Sequence, residues 1–149
     1  MANKKVTKFG LKAATPIETD LDGWKKVDGN PTMKTWIEYT ADDGSSISGW
    51  WGATPGTYHA TYAAPEFVHM IQGEIVITPD GGQPVTVKGG DAFTVEKDFV
   101  GTWKIEKEVF KHFTIQLKRW AGRRRRTLRR PDFVGHSPWS LNYRKRTIQ

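Results

Sequence analysis

The chain has 149 residues, no cysteine and a formal net charge of +7. That length closes one hydrophobic core and leaves no room for a second domain, while the missing thiols exclude disulfides, cysteine nucleophiles and Cys-ligated zinc, so a metal would need His, Asp or Glu. The charge is uneven: residues 1–117 hold 12 Lys, no Arg and 15 acidic residues (net −3), whereas residues 118–149 hold 9 Arg, 2 Lys and one Asp (net +10), so a polyanion partner belongs to the tail alone.

Residues 1–32 read as an N-terminal arm. Met1 to Lys12 is lysine-rich without the apolar stretch of a signal peptide, and no run of about eighteen apolar residues follows; a soluble cytoplasmic protein with no membrane partner is expected. Asp20, Asp22, Gly23, Asp28, Gly29, Asn30 and Pro31 are turn formers without periodicity, so the arm is expected to wrap the domain with little regular structure.

From Met33 the pattern changes to short β-branched and aromatic segments punctuated about every 8 to 12 residues, the signature of a sandwich or barrel. The expected strands are Lys34–Thr40, Ser46–Trp51, Thr57–Tyr62, Glu66–Ile71, Glu74–Thr78, Val85–Lys88, Ala92–Val95, Gly101–Ile105 and Val109–Leu117. Between them Ala41-Asp42-Asp43-Gly44, Ala53-Thr54-Pro55-Gly56, Pro79-Asp80-Gly81-Gly82 and Gly89-Gly90-Asp91 supply turn chemistry. Such strands without a convincing helix point to closure, which also removes exposed edges.

Glu66-Phe67-Val68-His69-Met70-Ile71-Gln72-Gly73, a Glu, six residues and a Gly, resembles the second half of the first cupin motif. Gly89-Gly90-Asp91-Ala92-Phe93-Thr94-Val95 resembles the opening of the second. With Gly49-Trp50-Trp51-Gly52-Ala53-Thr54-Pro55-Gly56 upstream, and Gly101-Thr102-Trp103 and Lys111 downstream, residues 33–117 are similar to the cupin branch that includes ureidoglycine aminohydrolase and the ethanolamine-utilisation cupin. The resemblance implies an all-β jelly-roll barrel (a double-stranded β-helix), flanked by the irregular arm and by a basic extension over 118–149. It also implies a homodimer. Independently of the family, alternation puts Glu66, Val68 and Met70 on one face and Phe67, His69 and Ile71 on the other. Gly73 is expected to let the chain reverse tightly into the next strand.

Metal-binding cupins present two His and a Glu from the first motif and a His from the second, a donor set for Mn, Fe, Ni or Zn. Of these Glu66 matches here. The first His falls on His59 or Ala60 and the second on Thr61 or Tyr62, while the second motif's Pro, Gly and His are replaced by Glu96, Asp98 and Gly101. His59 with Glu66 is an incomplete set for a weakly held divalent metal, so the expected cofactor is none or such an ion. His69 and His112 are reserves, and all three histidines read equally as ordinary structural or surface imidazoles.

Barrel mouths are general ligand sites. Tyr58, Tyr62, Phe93, Trp103 and Trp51 are candidate walls of an aromatic pocket holding one acid, Glu66, suited to a planar or cationic molecule; the same rings would equally serve to fill a small barrel. Lys111, flanked by residues that want burial, is placed to pair with Glu66 across the lumen as an acid/base couple or as a reactive amine, or else is a solvated strand residue. No phosphate loop, Ser-His-Asp order or nucleophile elbow is present.

Lys118 to Arg130 puts eight cations in thirteen positions, a composition that binds nucleic acid in a salt-dependent way, or else forms a disordered appendage. Two functions follow: a small-molecule-binding cupin acting on a small nitrogenous or carboxylate compound, or a noncatalytic barrel scaffold whose basic tail binds nucleic acid or a protein partner.

Overall fold

A computed structural model describes residues 6–10 and 15–117; the basic extension 118–149, with its nucleic-acid or partner role, lies outside the described residues. Among these the chain is all strand: β1 Trp24–Asp28, β2 Met33–Thr40, β3 Ser46–Ala53, β4 Gly56–Thr61, β5 Glu66–Pro79, β6 Val85–Lys88, β7 Ala92–Val95 and β8 Val100–Gln116. Every pairing is antiparallel, and the sheet curls on itself, as the resemblance to the cupin jelly roll implies. β8 is the spine. Its first half pairs with β4 and its second half with β3, while β5 runs along its other edge for almost its full length.

The expected pairs Glu66–Ile71 with Glu74–Thr78, and Gly101–Ile105 with Val109–Leu117, are two long bent strands rather than four short ones. Gly73 therefore does not reverse the chain. It sits at φ 99° in the stretch where β5 and β8 slip register between Met70 and Ile75, and a Cβ there would collide with the Glu108 carbonyl oxygen. The glycine permits a bulge that bends both strands together, which is how a long ribbon curls into a barrel.

The arm also contributes more than irregular wrapping. Gly23 at φ 87° ends a tight turn, after which β1 pairs with β4, Trp24 opposite Ala60 and Lys25 opposite His59; Ile17 bridges to Thr35 on β2.

Alternating residues of β3, β4, β5 and β8 project into one interior, where Ile47, Trp51, Tyr58, Ala60, Val68, Met70, Trp103, Ile105, Phe113 and Ile115 are buried. Leu21 and Trp24 of the arm join this core. A second aromatic group lies on the opposite face, where Trp50 stacks on Phe110 at 4.7 Å and Phe9 meets the edge of His112 at 5.6 Å.

Candidate functional site

β5 starts at Glu66, and its pleat turns Glu66, Val68 and Met70 inward while Phe67, His69 and Ile71 face out. β8 delivers Lys111 opposite Met70 on one side and opposite Trp51 of β3 on the other. The two charges meet inside the barrel: Lys111 Nζ donates to Glu66 Oε2 at 2.5 Å, with side chains only 2% and 5% exposed. Tyr62, just past the end of β4, donates its hydroxyl to Glu66 Oε1 at 2.6 Å. Each carboxylate oxygen thus has a donor, as a buried charge requires.

Aromatic rings surround the cation. Lys111 Nζ lies 4.7 Å from the Trp51 ring centre, 5.3 Å from Trp103 and 5.7 Å from Phe113, within cation–π range. Burial holds the Lys111 pKa below the ordinary lysine value, an effect that the attraction and hydrogen bond of Glu66 oppose without cancelling. Tyr58, also inward, sends its hydroxyl to Asp20 at 2.9 Å rather than to Glu66; burial and that acceptor hold its phenol above the usual range. Phe93 packs at the margin, its ring 6.2 Å from Trp103.

The structure brings Glu66, Lys111, Tyr62, Trp51 and Trp103 together, with Tyr58 and Phe93 at the periphery of the pair. The space they leave is small. A cavity of about 10 Å³ beside the ion pair, room for one water at most, is lined by Leu21, Trp24, Thr35, Trp51, Glu66 and Lys111, with Phe113 and Ile115 completing it. In this state the rings fill the barrel rather than walling an open pocket. Leu21, Trp24 and Thr35 had no part in the sequence-level site. A tryptophan directly after the turn formers Asp22-Gly23 is the one sequence signal that marks it. Three buried polar atoms have no hydrogen-bond partner among the described residues: Trp24 Nε1, Thr35 Oγ1 and Trp103 Nε1.

The donors do not fit a divalent metal. His59 lies between Tyr58 and Ala60, both fully buried, so the pleat sends its imidazole out of the barrel. It meets Asp80 there at 3.1 Å, partly exposed, and cannot share an ion with Glu66. His69 and His112 stack on each other at 6.3 Å, His69 on the outward side of β5 and His112 against Phe9. Glu66 is already neutralised by an ammonium, and no group of three or more metal-ligating side chains occurs among the described residues.

Residues 40–113 match the EutQ-like cupin domain. Among solved structures, the chain is similar to the EutQ protein of Clostridium difficile (16% identity, TM-score 0.53, covering 62% of this chain and 75% of that one). It is also similar to a DUF861-family protein of unknown function from Pseudomonas syringae pv. tomato (18%, TM-score 0.60, covering 70% of this chain and 46% of that one). A third likeness is to the cupin domain of Schizosaccharomyces pombe Cnp3 (13%, TM-score 0.55, covering 75% and 74%). At these identities the structural likeness speaks for the fold. No curated protein matches the chain.

Proposed function

From the premise that the chain belongs to the cupin superfamily, in its EutQ-like branch, we propose that it binds a small molecule in the barrel interior, with Glu66 and Lys111 as the polar centre and Tyr62, Trp51 and Trp103 as its frame. Tyr58 and Phe93 bound the same space. The observation that carries this is the Glu66–Lys111 pair, almost fully buried at 2.5 Å inside an aromatic wall. A buried ion pair is poor value for stability, because well-packed apolar residues do as well or better. Perturbed, paired ionisable groups in an enclosed site are instead a mark of function.

The chemistry of the pair sets the ligand class. A carboxylate can take over the Lys111 ammonium and an amine or ureido nitrogen can take over the Glu66 carboxylate. A small nitrogenous or carboxylate compound is therefore the partner, and the two side chains are placed to exchange a proton with it. The ureidoglycine-aminohydrolase likeness supports the nitrogenous class. A homodimer, implied by the family resemblance, and a cytoplasmic location complete the proposal.

Thermal-shift measurements on the full chain with short carboxylates, amines and ureido compounds test it, alongside Glu66→Gln and Lys111→Met. A compound that raises Tm in the wild type and in neither variant is the expected result. Shifts that persist undiminished in both variants would place the ligand elsewhere and overturn the proposal.

A further inference from the structure

The interior is closed by the chain itself. The Trp24 indole sits in a box of four rings, with centroids 5.1 Å from Trp103, 5.6 Å from Trp51, 5.6 Å from Tyr58 and 5.9 Å from Tyr62. Those four rings belong to β3, β4, β8 and the segment just after β4. Trp24 does not: it comes from β1, a five-residue edge strand that pairs with β4 alone, with a register irregularity between Lys26 and Asp28. Trp24 is the one buried residue of β1; Lys25, Lys26, Val27 and Asp28 are all exposed.

The attachment of this indole is slight for a core residue. The turn before it is held by Trp24 N–H to the Leu21 carbonyl at 3.1 Å and Thr61 N–H to the Gly23 carbonyl at 2.9 Å. Gly23 permits that approach, since a Cβ there would stand 2.7 Å from the Thr61 oxygen. The fit is also incomplete. The indole satisfies the box by ring contact, yet its Nε1 is buried with no acceptor among the described residues, and Trp103 Nε1 and Thr35 Oγ1 share that condition. An orphaned buried donor is costly. Two of these three groups are donors only, and the third is a hydroxyl able to donate, so the interior is short of acceptors.

We propose that Trp24 is a displaceable stand-in for the ring of the ligand: Leu21 to Asp28 is a plug that swings away from β4, and the molecule that replaces the indole is a planar ring bearing acceptor oxygens, an aromatic carboxylate in its simplest form. Its ring takes the box, and its carboxylate faces Lys111 and the two orphaned groups left behind, Trp103 Nε1 and Thr35 Oγ1. This rests on the interior being the ligand site, and adds the ring class and the gate.

The test uses the full chain, wild type and Trp24→Ala, with indole and benzoate as probes, read by calorimetric titration. A minor open state is populated at about 10% or less, so removing the plug should tighten both probes about tenfold or more. Adding Lys111→Met to Trp24→Ala should abolish the gain for benzoate and spare indole. A folded Trp24→Ala protein that binds neither probe, or binds both no better than wild type, overturns the plug, whereas benzoate binding unaffected by Lys111→Met overturns the interior site itself. Amide exchange in the unmutated chain serves if Trp24→Ala does not fold: saturating benzoate should speed exchange at residues 24–28 while slowing it at Trp103 and Lys111. Slower exchange at 24–28 would show the segment closed over the ligand rather than displaced by it, and would refute the plug.

Discussion

Replacing Lys111 by Met keeps an unbranched apolar chain against Trp51 and Trp103 but leaves the Glu66 carboxylate buried without its cation. Glu66 is 4% exposed, so water reaches it poorly, and breaking a buried pair from one side costs about 3–5 kcal/mol. For an ordered domain of this size, at about 4 °C per kcal/mol, Tm should fall by about 12–20 °C. Glu66→Gln strands the ammonium instead and should cost a similar amount. Combining them removes both charges while the Gln carbonyl still accepts from Tyr62, so the double variant should return to within about 1–2 kcal/mol of wild type. Urea and thermal unfolding of the four proteins gives the coupling energy, expected at about 3 kcal/mol or more. Additive costs, or single losses below about 1 kcal/mol as for an exposed pair, would mean that the two groups are hydrated, and the burial argument would be lost.

Stability should respond to pH through the same lysine. Its folded pKa lies below the ordinary 10.5 because of burial, so between that lowered value and 10.5 the unfolded chain binds more protons and stability rises with pH. The contribution is complete above 10.5 and lost as pH falls through the folded value. The wild-type stability minus that of Lys111→Met/Glu66→Gln should therefore climb with pH from the lowered folded value up to 10.5, and a decline would contradict the assignment. Gly73→Ala, at φ 99° and against the Glu108 carbonyl, should lose at least about 2 kcal/mol. Gly81→Ala, at φ 75° with open space around it, should lose only about 1 kcal/mol; equal losses would remove the steric account of the bulge. His59→Ala breaks a partly exposed pair with Asp80 and should cost under about 1 kcal/mol. A chelator should leave the melting curves of wild type and His59→Ala alike, and a large drop in the wild type alone would restore His59 as a ligand.

From Met33 onward the strands were legible because punctuation and alternation coincide: Val85–Lys88 and Ala92–Val95 form as expected, and the inward set Glu66, Val68, Met70 follows from the pleat. The two long strands were not. A bulge at Gly73 and a turn at Gly73 call for the same residue, and only the close approach of Glu108 separates them. His59 was misplaced because motif spacing said nothing about pleat parity; its neighbours Tyr58 and Ala60 are the buried ones. Trp24 was missed for a related reason. A strand whose other four residues are Lys25, Lys26, Val27 and Asp28 has no apolar period to detect, and its single buried side chain is fixed by the four rings it enters, which lie far along the chain.

That dependence on distant rings decides what the interior can do. A barrel with about 10 Å³ to spare admits a molecule only if something leaves, and most of its lining is on strands paired along both edges. Moving Trp103 or Lys111 would break the β8 ladders with β4, β3 and β5. Trp24 can leave at the expense of one short edge ladder, the burial of Leu21 that moves with it, and its own burial, the last about 3–5 kcal/mol for a large aromatic side chain lost from a core. A ring of similar area entering the same box recovers the contact part of that loss. What remains is the polar difference: an acceptor oxygen beside Lys111, Trp103 and Thr35 gains hydrogen bonds that the indole cannot make. Affinity for such a ligand is therefore set by its acceptor groups rather than by its ring, which is shared with the side chain it displaces.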